Sequence, residues 1–89
     1  MGWSYTPNSM RIIAQIPHND CRISIFSMNQ KFIIKVEWGP YEQSYKVSEM
    51  DIPGLEQIKA MITEDFIRQC MARFEAMDTD FNALIEAGD

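Results

Sequence analysis

The chain reads as an α+β domain: an antiparallel meander of three to four strands followed by a short and a long α-helix packed on one face. Three observations predict it. Apolar and polar side chains alternate with a period of two from Ile12 to Val47, as in a sheet with one buried face. Turn-forming residues interrupt that alternation at Pro17–Asp20, Asn29-Gln30 and Gly39-Pro40. From Ser48 onward the apolar period lengthens to that of a helix.

The centre of the prediction is the stretch Cys21–Trp38, CRISIFSMNQKFIIKVEW. With Asn29 and Gln30 at the tip of a tight turn, Arg22 faces Glu37, Ser24 faces Lys35, Phe26 faces Ile33 and Met28 faces Lys31. The opposite surface then carries Ile23 with Val36, Ile25 with Ile34, Ser27 with Phe32 and Cys21 with Trp38. A slip of one residue would mix the two sets, so the pattern itself selects the register. Asn-Gln is a weaker turn signal than Asn-Gly, and a one-residue bulge is the expected deviation there.

Upstream, residues 1–9 read as a tail. Residues 10–16, MRIIAQI, read as a strand in preference to a helix opened by Thr6-Pro7. A four-residue loop at Pro17–Asp20 would set Ile16 opposite Cys21, Ala14 opposite Ile23 and Ile12 opposite Ile25. Downstream of Gly39-Pro40 a short edge strand covers Gln43–Val47, with Tyr41 as its earliest start. Tyr41, Tyr45 and Val47 join the core while Glu42, Ser44 and Lys46 point away. The meander thus occupies residues 10–47.

The helical part spans residues 51–87. Asp51 is the expected cap of a short helix from Pro53 to Ile62 that turns Leu55, Ile58, Met61 and Ile62 inward. Thr63 caps the next helix, whose first turn holds Glu64 and Asp65, where negative charge is favoured. Its apolar stripe is Phe66, Ile67, Cys70, Met71, Phe74, Met77, Phe81, Leu84 and Ile85, with Glu64, Arg68, Glu75 and Asp78 on the solvated side. Unbroken from Glu64 to Ile85, this helix is about 33 Å long at ~1.5 Å per residue. The longest strand, Lys31–Trp38, reaches only about 26 Å at ~3.3 Å per residue. Three outcomes accommodate the excess: a break near Asp78-Thr79-Asp80, diagonal packing, or cover from a second copy for Phe81, Leu84 and Ile85.

Eighty-nine residues with 46% hydrophobic and 24% charged side chains suit one small domain with a thin margin of stability. No apolar run approaches the ~20 residues of a membrane span. The opening MGWSYTPNS lacks a basic leader and an apolar core, so the reading is a cytoplasmic protein with reduced thiols. Gly2 and Thr6 fit the loose acylation pattern M-G-x-x-x-[ST], whose few fixed positions make chance the better explanation. Charge divides unevenly. Residues 1–47 carry five bases against the acids Asp20, Glu37 and Glu42, a net +2, whereas residues 48–89 carry three bases against ten acids, a net −7. An acidic whole argues against general affinity for nucleic acid or anionic lipid.

On the predicted pairing, Arg11, Arg22, Lys31, Lys35 and Lys46 fall on the sheet face turned away from the helices, around Ile13, Phe26, Met28 and Ile33. An apolar island rimmed by charge suits a protein contact, and an acidic helix of a second copy could meet it. Single-stranded nucleic acid stacked on Phe26 is the lesser alternative, because Glu37 and Glu42 share the surface and there is no RNP-type run.

Reactive side chains are sparse. His18, Asp20 and Cys21 form the compact set PHNDC, an alternative thiol- or metal-dependent site. Against it, these are turn formers and no other His or Cys obviously completes a ligand set. Cys70 has the spacing of a core residue, and a disulfide to Cys21 is not expected. Asp78-Thr79-Asp80-Phe81-Asn82 imitates the start of a calcium loop but has Ala83 where Gly is needed and Asp89 where Glu is needed. P-loop, dinucleotide-binding, GxSxG and HExxH motifs are absent from the sequence.

The runs IPHNDCRISIF, NQKFIIKVEWGPYEQSYKV and EDFIRQCMARFEAMD resemble a group of small uncharacterised bacterial proteins that share IPH-x-DC, K[FY]-x-IK-x-E and EQ-x-[FY]KV segments. The resemblance covers roughly residues 16–78 and implies no activity, ligand or catalytic residue. The functional expectation is a small non-catalytic protein-interaction or homodimerising module. It uses no cofactor or metal and has no catalytic residue; its partner is a second copy or another protein.

Overall fold

The computed structural model describes residues 10–52 and 54–88. The expectations for the tail of residues 1–9, with Gly2 and Thr6-Pro7, lie outside them. Four antiparallel strands, β1 (Arg11–Ile16), β2 (Arg22–Met28), β3 (Lys31–Trp38) and β4 (Tyr41–Ser48), form one sheet in chain order. Two helices follow, α1 (Leu55–Met61) and α2 (Glu64–Gly88). This is the α+β meander with a short and a long helix that the periodicity implies.

The β2–β3 register is the expected one, from Arg22↔Glu37 to Met28↔Lys31. Asn29 and Gln30 both take positive φ, 53° and 63°, as a type I′ hairpin turn requires. No bulge is needed at the tip. The second hairpin closes on Gly39, φ +59°, followed by Pro40, whose ring holds φ near −65°. Glycine first and a fixed negative φ second describe a type II′ turn. It allows β4 to pair with β3 along its whole length, from Trp38↔Tyr41 to Lys31↔Ser48, longer than the expected Gln43–Val47.

The first strand departs from expectation. Its connection closes at Ile16↔Ile23, with Ala14 opposite Ile25, and the ladder then shifts so that Ile12 meets Phe26 and Arg11 meets Ser27. The extra residue in this bulge is Ile13. A bulge reverses the facing of the residues beyond it, so Ile13 packs against the core and Ile12 takes its place outside. Arg11, paired with Ser27, falls on the helix side rather than among the outer bases.

The core lies between the sheet and the helices. Ile23, Ile25, Val36, Ile58, Cys70 and Phe74 are its fully buried side chains, each apolar one stabilising by about 1.5–3 kcal/mol relative to exposure. α1 is shorter than expected. Its cap is Gly54, which makes no side-chain hydrogen bond, so Asp51 is not the cap. The helix ends at Met61, which points outward at 46% exposure rather than into the core. α2 has its expected cap, the Phe66 amide donating to Thr63 Oγ1 at 3.1 Å. It runs unbroken through Asp78–Asp80.

Candidate interaction surface

The path of α2 can be followed from its contacts with the sheet. In the first turn His18 Nε2 lies 3.3 Å from Glu64 Oε1, tying the helix to the β1–β2 loop, and Phe66 meets Tyr45 edge-on at 5.5 Å between ring centroids. One turn on, the Gln43 side-chain amide donates to the Cys70 carbonyl at 2.9 Å. Arg73 donates to Gln43 Oε1 at 3.3 Å and to the Tyr45 hydroxyl at 3.2 Å. Phe74 packs 5.9 Å from Trp38. Finally the Tyr41 hydroxyl donates to Asp78 Oδ1 at 2.6 Å, and its ring meets Phe81 edge-on at 5.9 Å. Tyr41 is the first residue of β4. The helix therefore crosses the sheet obliquely and leaves it at the corner beside the Gly39-Pro40 turn.

Beyond that corner nothing among the described residues covers it. Residues 81–88 are all exposed, including Phe81 at 41%, Leu84 at 68% and Ile85 at 49%. Spacings of three and four place these side chains on one face. The segment after Arg73 has the acids Glu75, Asp78, Asp80, Glu86 and Asp89 and no base. Asp78 is not on the solvated side as expected; it is half-buried against Tyr41. Its position four residues after Phe74 was the available signal, since that spacing places it on the inward stripe. The bond to Asp78, with burial, pushes the Tyr41 hydroxyl up to about 12. Burial likewise raises Tyr45, with Arg73 opposing it.

The outer sheet face is less open than the sequence implies. Phe26, Ile33, Arg22, Lys31, Lys35 and Lys46 share it, as their register requires, and Met28 joins them. Ile33, however, is only 5% exposed, so the island has no bare centre. Phe26 is half-buried, and Lys35 Nζ lies 5.2 Å from its ring centroid. The aromatic face that would stack a base already has a cation over it.

His18, Asp20 and Cys21 line an open cleft of about 880 Å³ together with Arg22, Glu37 and Trp38. The Asp20 amide donates to His18 Nδ1 at 3.1 Å. That bond leaves the proton of the neutral ring on Nε2, facing Glu64. Both imidazole nitrogens thus serve the loop and its attachment to α2. Cys21 and Cys70 are free thiols. Burial pushes the Cys21 thiol up, and negative charge at Cys70, Asp20 and Glu64 adds to the effect. This is the reverse of what activates a cysteine. Among the described residues no three His, Cys, Asp or Glu side chains are grouped to hold a metal ion. The calcium-like run Asp78–Asn82 lies within continuous helix, where it cannot wrap an ion as a loop does. Among the described residues no helix is long and apolar enough to cross a membrane.

No family model, curated protein or solved structure matches the chain.

Proposed function

We propose that this chain is a non-catalytic homodimerising module whose contact is built on the projecting end of α2. The observation that carries the reading is the apolar face of Phe81, Leu84 and Ile85, which continues the core stripe of Ile67, Cys70 and Phe74 beyond the sheet. A helix retains such a stripe where something covers it, and large exposed apolar side chains clustered on one face mark contact sites. A second copy is the favoured occupant because small chains commonly close as two-fold dimers. The outer face contributes Arg22, Lys31 and Lys35 as a basic rim in a protein otherwise rich in acids.

The test is the solution mass of the Leu84→Lys variant beside that of the unaltered chain. Leu84 makes no core contact, so the variant folds with an unchanged unfolding midpoint when both are compared as monomers at high dilution. At concentrations where the unaltered chain is dimeric, the variant is a monomer. Equal masses for the two proteins would remove the helix end from the interface.

A further inference from the structure

The projecting helix is too small to hold a dimer alone. Phe81, Leu84 and Ile85 offer on the order of 300 Å² of uncovered surface, taking about 200 Å² for each complete side chain. A stable interface needs about 800 Å² from each partner. Whatever else makes contact must adjoin the corner where α2 leaves the sheet, and that corner is the start of edge strand β4.

β4 is the more regular of the two sheet edges among the described residues. It pairs regularly with β3 over eight residues, with no bulge and no proline inside it. The other edge, β1, has its bulge at Ile13 and is followed by Pro17. Bulges and prolines are among the devices that discourage edge pairing, so of the two edges among the described residues β4 keeps the regular backbone template. The direction of its backbone groups is fixed. Trp38 and Tyr41 flank a two-residue turn, and the Glu49 amide donates to the Gln30 carbonyl at 3.0 Å. Odd-numbered residues therefore bond to β3, and Glu42, Ser44, Lys46 and Ser48 turn their amides and carbonyls to the open edge.

We infer that β4 pairs antiparallel with β4 of a second copy, Ser44 against Ser44, joining the two sheets into one of eight strands. This deepens the proposed homodimer and rests on it. Charge selects the register. With Ser44 on the two-fold axis, Glu42 of each copy faces Lys46 of the other, twice by symmetry, on the outer face. The other symmetric registers that satisfy the outward amides place Lys46 against Lys46, Glu42 against Glu42, or neither charge against its opposite. Within the chain Glu42 stands directly opposite Glu37, a repulsive cross-strand pair that a second copy's lysine relieves. On the helix side the same register sets Tyr41 across from the second copy's Val47. The α2 end leaving beside Tyr41 then lies close to that copy's Met50, which is 91% exposed.

The experiment is sedimentation equilibrium on four full-length proteins: unaltered, Glu42→Lys, Lys46→Glu and the double exchange. Each single reversal places like charges opposite one another at two sites and weakens dimerisation roughly tenfold or more. The double exchange restores it, because in this register alone the two swapped side chains meet across the axis as opposite charges once more. Ser44→Pro supplies a second reading. Its lost amide points to the open edge, so the chain keeps its β3 ladder and its far-ultraviolet spectrum while the dimer is lost. A dimer that Leu84→Lys dissociates, but that all four β4 changes leave intact, overturns the strand pairing and leaves the helix contact standing. A strict monomer in the unaltered chain overturns both.

Discussion

Gln30 holds a left-handed backbone, φ 63°, at a position where a side chain costs energy and glycine does not. Its carbonyl accepts the Glu49 amide, an interaction that glycine retains. Gln30→Gly therefore stabilises the protein by about 0.5–1 kcal/mol, measured as a shift of the urea midpoint at constant slope. Tyr41 gives a prediction of the opposite kind. Its hydroxyl donates to Asp78, a bond that with burial pushes it up from the usual 10 to about 12. Between those values the unfolded chain releases a proton that the folded chain keeps. The stability tied to this proton is present below pH 10 and is lost as pH rises through 12. An absorbance titration at 295 nm should show Tyr41 titrating late, near pH 12, and moving toward 10 in Asp78→Ala, which sets it apart from Tyr45, also raised by burial. An identical late titration in Asp78→Ala, with no tyrosine moving toward 10, would assign the Tyr41 shift to burial alone.

At the scale of elements, the strands show what sequence can specify. Two-residue turns leave no freedom of register, so β2, β3 and β4 could be aligned side chain by side chain from Asn29-Gln30 and Gly39-Pro40 alone. The Pro17–Cys21 connection imposes no such length. Ile12 and Ile13 are both apolar, so parity cannot say which faces inward, and the bulge that decides it leaves no mark in composition. That ambiguity put Arg11 and Ile13 on the wrong side. In α2 the apolar spacing was legible to the end, but the Tyr41–Asp78 bond was not, because a carboxylate on an inward stripe is recognised only once its partner is placed. The helix itself yields a dynamic prediction. Amides from Ile67 to Phe74 lie in the turns that Ile67, Cys70 and Phe74 bury against the sheet, whereas the end beyond Phe81 has no base in its last turn to oppose the helix dipole. Hydrogen exchange at dilution that keeps the chain monomeric is fast for residues 82–88 and slow for 67–74. At concentrations that favour the dimer, protection extends to the helix end. Fast exchange there at every concentration would mean that the end stays uncovered.

At the scale of the molecule, eighty-nine residues support a stability of only about 4–13 kcal/mol, so a shared interface adds materially to the folded state. The two halves differ in charge, +2 before Ser48 and −7 after it, and the acidic half supplies the projecting helix. Fold class was legible because periodicity changes once, cleanly, at the sheet-to-helix boundary. The site was only partly legible. The stripe through Phe81, Leu84 and Ile85 was visible, but whether the sheet reached far enough to cover it depended on the oblique path of α2, which no local pattern encodes. The chemistry around His18 and Cys21 reduces to a loop fastened to a helix by one exposed contact, of a type worth about 1 kcal/mol or less.

The most direct measurement is the mass of the unaltered chain by light scattering across a concentration series. The expected mass rises from one chain to two and reaches a plateau, and the same series for Leu84→Lys stays at one. A single chain mass for the unaltered protein at every concentration, with Phe81, Leu84 and Ile85 open to solvent throughout, would contradict it.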